Sequence, residues 1–253
     1  MILDEILVHK RKEVVALKRN GRFTSPPPAP VLKKRDFAGA IRSLGAIRLV
    51  AEIKRRSPSK GELHGDLDAR TFAGMYQDAG AAAVSILTDE RFFGGSMMDL
   101  SRGRSACSIP VLRKDFIVDE IQVWQSAADD GPDAILLIVA ALSQERLEGL
   151  LAEASRCGLA ALVEAHNEEE VDTALECGAD IIGINNRNLK TFEVNLETTH
   201  RLRRLIPNGK IGVAESGIHS RSDVKALENS GVDAILVGEA LVSSQDPALK
   251  IQQ

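Results

Sequence analysis

From residue 47 onward the chain repeats one pattern: a short aliphatic run, a longer amphipathic stretch, then another aliphatic run. The runs fall at 47–53, 81–87, 110–113, 134–139, 160–163, 181–184, 210–214 and 234–237. Runs this short suit strands buried on both faces, and the stretches between them, such as 143–157 and 168–177, have helical spacing. Several stretches end in a glycine turn, as in Asp78-Ala79-Gly80-Ala81, Glu176-Cys177-Gly178-Ala179-Asp180 and Asn229-Ser230-Gly231-Val232-Asp233. Glycine is the usual residue just past a helix, where a positive φ is needed. Strand and helix in alternation imply parallel strands with crossover helices. Eight such units close a barrel and leave no free edge. The length, 253 residues, matches the roughly 250 of that architecture. An open doubly wound sheet is the structural alternative; the glycine-rich fingerprint it would carry for a dinucleotide is absent. Two smaller domains would need an internal linker, and none stands out. The expectation is an α/β protein, a (β/α)8 TIM barrel forming a single domain over 1–253. Residues 1–46 are read as an N-terminal helical extension and 47–253 as the barrel.

The first twenty residues predict an amphipathic helix, with Ile2, Leu3, Ile6, Leu7, Val14 and Leu17 at roughly helical spacing. Lys10, Arg11, Lys12 and Glu13 are the polar residues between them, and Gly21 ends the helix. Pro26-Pro27-Pro28-Ala29-Pro30 reads as an extended connector, and Asp36 as the cap of a short second helix over 37–44. The N-terminus lacks a signal-peptide pattern, and no apolar run reaches the roughly 18 residues of a membrane span. Net charge is −4, which argues against a general nucleic-acid surface yet leaves room for a local basic pocket. Cys107, Cys157 and Cys177 are far apart and lack metal-ligand spacing, so a reducing, cytoplasmic location is expected and no metal site.

The chemistry is at the run ends. The first closes on Ala51-Glu52-Ile53-Lys54, placing Glu52 and Lys54 on one strand face. The third closes on Leu112-Arg113-Lys114-Asp115 and the fifth on Leu162-Val163-Glu164. The sixth closes on Gly183-Ile184-Asn185-Asn186-Arg187, the seventh on Ala214-Glu215-Ser216-Gly217, the eighth on Val237-Gly238-Glu239. A single such charge is as well explained by a strand reaching solvent. Six together, converging on the rim where barrel active sites lie, form a candidate catalytic set. Lysines and glutamates in one pocket shift each other's proton affinities, which is how acids and bases are tuned. Gly217 and Gly238 follow the last two strands, where a phosphate recurrently binds backbone N–H groups near a helix N-terminus. The polar loop Ser57-Pro58-Ser59-Lys60-Gly61 could close over a ligand.

Glu52-Ile53-Lys54-Arg55-Arg56-Ser57-Pro58-Ser59-Lys60-Gly61 resembles the strand 1 signature of the indole-3-glycerol-phosphate synthase family. Leu112-Arg113-Lys114-Asp115-Phe116, Leu162-Val163-Glu164, Gly183-Ile184-Asn185-Asn186-Arg187-Asn188-Leu189, Ala214-Glu215-Ser216-Gly217-Ile218 and Leu236-Val237-Gly238-Glu239-Ala240-Leu241 complete the family's motifs in order. The resemblance implies a phosphorylated substrate, 1-(2-carboxyphenylamino)-1-deoxyribulose 5-phosphate, closed to an indole with loss of carbon dioxide and water. It implies Lys114 as general acid on the ketone oxygen. Lys54 would hold the substrate carboxylate, with a share of the acid work open to it. Glu164 would stabilise positive charge on nitrogen and take part in proton removal. Glu52, Asn185, Glu215 and Ser216 would orient hydroxyls and the two lysines. Ser57, Gly217, Gly238 and Glu239 would surround the phosphate. Phe93, Phe116 and Leu189 would wall the aromatic ring, with Arg187 near the carboxylate. The chemistry implies no metal or organic cofactor, and the resemblance implies no obligate protein partner. A lysine in a positively charged pocket would have a lowered pKa and be a better donor than in water.

Three stretches depart from the family pattern: Glu62-Leu63-His64-Gly65 in the lid, Asp129-Asp130-Gly131-Pro132 before the fourth run, and a short polar tail after Asp246 that predicts an incomplete last helix. His9, His64, His166, His200 and His219 lie outside the motifs and receive no role. Two other functions remain open on residue types alone. A class I aldolase-like barrel would form a Schiff base on Lys54 or Lys114, and a phosphate-ligand binding module would bind without turnover. The two strand-end lysines and the Ser-Pro-Ser-Lys-Gly loop speak against a neighbouring pathway barrel, phosphoribosylanthranilate isomerase.

Overall fold

The computed structural model describes residues 2–27, 34–43, 45–128, 131–189 and 191–253. The proline connector from Pro28, Leu44, and Asp129 and Asp130 of the pre-strand turn lie outside the described residues; the second helix, expected over 37–44, ends at Ile41, where Arg42 turns to an extended conformation. Eight parallel strands form the barrel: β1 (Arg48–Ile53), β2 (Ala83–Leu87), β3 (Val111–Lys114), β4 (Ala134–Ile138), β5 (Ala160–Ala165), β6 (Ile181–Asn185), β7 (Ile211–Glu215) and β8 (Ala234–Val237). Each pairs with its sequence neighbour, and β1 pairs with β8 to close the ring. Closure satisfies every strand on both sides, so no edge is left to template aggregation. A two-stranded hairpin, Arg56–Ser57 against Gly61–Glu62, rises from the end of β1.

Outside the barrel run α3 (Ala69–Asp78), α5 (Met97–Ala106), α6 (Glu120–Ala127), α7 (Gln144–Arg156), α8 (Glu168–Glu176), α9 (Glu197–Arg203) and α10 (Arg221–Glu228), preceded by α1 (Ile2–Arg19) and α2 (Phe37–Ile41). A short α4 (Glu90–Phe93) precedes α5, and α11 (Glu239–Val242) and α12 (Pro247–Gln252) finish the chain. The polar tail forms the short α12, which Asp246 caps by accepting from Leu249 N–H, with Pro247 in the first turn, where its missing N–H costs nothing. Among the described residues, no helix is long and apolar enough to cross a membrane.

Strand parity divides the core into an inner and an outer shell. Val50, Ala83, Leu112, Ala134, Leu136, Leu162, Ile181, Val213 and Leu236 belong to one buried cluster inside the barrel. Phe37 and Ile41 of α2 join that cluster and plug the end where the strands begin. The alternate residues, such as Ala51, Val84 and Ile86, or Val163, Ile182 and Ile184, pack outward under the helices. Burial of a Leu or Ile side chain stabilises by about 1.5–3 kcal/mol, so this two-sided packing makes the scaffold rigid.

The N-terminal helix departs from its sequence reading at one position. Lys10, expected among the polar residues, has a side chain only 3 % exposed. Its ammonium lies 3.0 Å from Asp89, 2.9 Å from Asp115 and 2.5 Å from Glu13. Burial would lower the lysine's pKa, but Asp115 and Asp89 hold it above its ordinary value. Asp115 also accepts from Arg113 at 2.9 Å and from Thr88 at 2.6 Å. Lys10 therefore nails α1 to the ends of β2 and β3. Truncating it leaves the buried carboxylate of Asp89 without its cation, a loss of about 3–5 kcal/mol. Lys10→Ala should lower the melting temperature by on the order of 10 °C in a thermal scan; an unchanged midpoint would show that α1 is held by its apolar contacts alone.

Candidate active site

Parity also selects which residues reach the cavity at the strand C-termini. Counting up each strand in twos from the inner cluster gives Glu52 then Lys54, Lys114, Glu164, Asn185, Glu215 and Gly238. All of these line one pocket. Arg113 has the opposite parity and points outward, donating to Gln122 O at 3.2 Å and Ser126 Oγ at 2.9 Å. Its charge anchors α6 and is structural.

The centre of the site is Lys114. Its Nζ is 3.1 Å from Glu164 Oε2 and 3.1 Å from Glu215 Oε2. Glu164 Oε1 accepts from Asn185 Nδ2 at 3.1 Å, and Asn185 Oδ1 accepts from Arg187 N at 3.0 Å. Across the barrel Lys54 Nζ sits 2.7 Å from Glu52 Oε1. Two glycines make room for these carboxylates. A Cβ at Gly183 would lie 2.2 Å from Glu215 Oε1, and one at Gly238 would lie 2.5 Å from Glu52 Oε1. Ser216 has φ +66°, a strained conformation for a residue with a side chain. Asn186 holds that turn, donating to Ser216 O at 3.1 Å and accepting from Thr199 Oγ1 at 2.8 Å.

One ammonium faces more carboxylate than it can neutralise. Burial would lower the Lys114 pKa, but Glu164, Glu215 and Glu52 together raise it above the ordinary lysine value. The expectation of a lowered lysine pKa is thus overturned, because the charges around Lys114 are negative. Burial would raise Glu164, yet Lys114, His166 and Asn185 hold it well below the usual carboxylate range. Glu215 takes the opposite course. Burial, with repulsion from Glu164 and Glu52, outweighs the pull of Lys114 and pushes it up to about 7.

The remaining expected residues fall on the same pocket. Phe93 and Phe116 have ring centroids 6.0 Å apart and share a wall with Leu189. Ser57, Ser216, Gly217, Gly238 and Glu239 line it beside the hairpin, and Arg187 borders it from the loop after β6. Two contributions had no sequence signal. Ile2, Leu3 and Ile6 of α1 complete the apolar wall, and Phe192 reaches it from the loop that pairs Arg187 with Val194.

Because Glu215 is protonated more readily folded than unfolded, it costs stability as pH rises from 4.5 towards about 7. Acidifying from about pH 8 to about pH 6 should bring up the infrared carbonyl band of a buried protonated carboxyl, lost in Glu215→Gln. An identical spectrum at both pH values would show that Glu215 stays ionised.

Comparisons with known proteins give the chain its family. Residues 3–253 match the family model for indole-3-glycerol phosphate synthase. The chain is 48 % identical over 241 residues to indole-3-glycerol phosphate synthase 2 of Streptomyces coelicolor, covering 94 % of this chain and 91 % of that one. It is 46 % identical over 244 residues to indole-3-glycerol phosphate synthase of Bacillus cereus strain G9842, covering 96 % and 93 %. Among solved structures, an N-acetylmannosamine-6-phosphate 2-epimerase from Clostridium perfringens superposes with TM-score 0.63 at 14 % identity, over 81 % of this chain and 90 % of that one. Thiamine phosphate pyrophosphorylase from Pyrococcus furiosus gives 0.59 at 16 %, over 82 % and 93 %. These two likenesses concern the barrel alone. With its motifs gathered on one rim and its family shared over nearly the whole length, the chain belongs to the indole-3-glycerol phosphate synthase family.

Proposed function

We propose that the Lys114–Glu164 pair carries the acid and base steps of indole-3-glycerol phosphate synthesis in this protein. As a member of its family the protein is a carboxy-lyase of tryptophan biosynthesis acting on a phosphorylated substrate. The substrate is 1-(2-carboxyphenylamino)-1-deoxyribulose 5-phosphate. Its ring carbon bearing the carboxylate attacks the ketone carbon, pushed by the nitrogen lone pair. Lys114 gives a proton to the ketone oxygen, which becomes a hydroxyl. The nitrogen is then an iminium, which accepts the electron pair released as carbon dioxide leaves. A second proton on the hydroxyl releases water, and Glu164 takes one proton from the carbon beside nitrogen. Two protons go in and one comes out, so the reaction consumes one proton overall.

The observation that carries this reading is the 3.1 Å contact between Lys114 and Glu164, with the lysine held charged and the glutamate held ionised. Both are in the working state before substrate arrives, and they can return a proton to each other after turnover. A lysine kept as ammonium is an acid and not the nucleophile of a Schiff base. Lys54 would pair with the substrate carboxylate near Arg187 and supply the second proton. Glu52, Asn185, Glu215 and Ser216 would orient the lysines and hydroxyls. Phe93, Phe116 and Leu189 would hold the aromatic ring. Ser57 and the backbone N–H groups of Gly217, Gly238 and Glu239 would take the phosphate. A cytoplasmic location suits Cys107, Cys157 and Cys177, all free thiols.

Lys114→Ala should lower kcat by about 10²–10⁴-fold in a fluorescence assay for the indole product. Substrate affinity, read by equilibrium binding, should change little. Near-normal turnover would remove Lys114 from the acid role. A Gly217→Ala change should instead raise KM, because its Cβ would lie 2.3 Å from Val194 Cγ1 at a φ of +81°; an unchanged KM would move the phosphate elsewhere.

A further inference from the structure

His166 comes two residues after Glu164, on the turn between β5 and α8. Its side chain is 9 % exposed and sits between two carboxylates. Nδ1 lies 2.9 Å from Glu170 Oε2, and Nε2 faces Glu164 Oε1 at 3.3 Å, an ion-pair distance without hydrogen-bond alignment. Glu170 is itself fixed from three sides. Its Oε2 accepts from His166 N at 2.9 Å, its Oε1 accepts from Asn167 Nδ2 at 2.8 Å, and its own N–H donates to Asn167 Oδ1 at 3.0 Å. A row of alternating charge results: Glu170, His166, Glu164, Lys114. His166 does not line the cavity, so it acts only through Glu164.

We propose that His166 is a positioning residue which, as an imidazolium braced by Glu170, clamps Glu164 from behind and keeps it an aimed, ionised proton acceptor. Resting on the reading of Glu164 as base, the assignment adds what holds that base ready. A neutral imidazole could donate its one N–H to Glu170 but would carry no charge to hold Glu164 at 3.3 Å; the charged ring attracts both carboxylates. Burial would lower the histidine's pKa, but Glu164 and Glu170 raise it to about 10. With the folded value raised above the ordinary 6.5, the clamp is complete below 6.5 and is lost as pH climbs through about 10. Among the described residues, the charged groups facing Glu164 are Lys114 and His166, with Glu215 across the site, and those facing His166 are Glu164 and Glu170.

The test is the pH profile of kcat in three variants. Removing a cation at this range raises a carboxyl pKa by about one unit or more. In His166→Gln the acid limb should therefore move up by about one unit, and kcat should fall about 10- to 100-fold with KM nearly unchanged. Glu170→Gln keeps the acceptor for His166 N–H and should shift the acid limb the same way by less. A folded His166→Gln protein with wild-type kcat and acid limb overturns the proposal, as does a variant that only melts earlier. Should His166→Gln not fold, Glu170→Gln and the imidazole NMR titration of the wild type decide. A ring charged to about pH 10 supports the clamp, and one titrating near 6.5 overturns it. Glu164→Gln separates the two ideas: full turnover there defeats the base itself, whereas a dead Glu164→Gln beside an unaffected His166→Gln defeats only the clamp.

Discussion

The bridge of Lys114 to Glu164 and Glu215, 3.1 Å on each side, is the interaction around which the rim is arranged. Three buried glutamates cannot all stay ionised around one ammonium, since removing charge from water is costly unless each is matched. The site resolves this unequally. Glu164 gains His166 and Asn185 and remains a carboxylate; Glu215, whose one cation among the described residues is Lys114, drifts towards the neutral form. Glu52 is matched separately by Lys54. One residue type therefore does three electrostatic jobs, and the neighbours decide which.

The scaffold supports this through contacts that lie away from the chemistry. Asn186 pins the strained Ser216 turn, and Gly183 and Gly238 leave space that a single methyl group would take from Glu215 and Glu52. Lys10 ties the first helix to Asp115, the residue after Lys114. That helix also supplies Leu3 and Ile6 to the apolar wall. The roof of the pocket and Lys114 are thus fastened at one point, so loosening α1 would disturb both.

Much of this was legible beforehand. The eight aliphatic runs coincide with β1 to β8 within one or two residues at each end, because closed parallel sheets demand short strands apolar on both faces. The strand-end polar residues were legible for the same reason: inside a barrel a charge at a strand end has only the rim to go to. Glu52, Lys54, Lys114, Glu164, Asn185 and Glu215 all reach the cavity. Lys10 and His166 were not legible. Nothing local in a Lys-Arg-Lys-Glu stretch marks one lysine as buried, and a histidine beyond a strand end is commonplace. The family resemblance supplied the reaction, which residue types alone left open between several lysine chemistries.

The sequence by itself determined the alternation, the ring of eight strands and the identities of the groups on its rim, since these follow from periodicity and strand parity. Only the tertiary structure decided the proton affinities. Several of them depend on distances between residues 50 or more positions apart, such as Lys114 and Glu164 or Lys10 and Asp115. A lysine expected to be a weakened base proved to be held charged, because it is packed against carboxylates whose approach the chain order alone does not reveal.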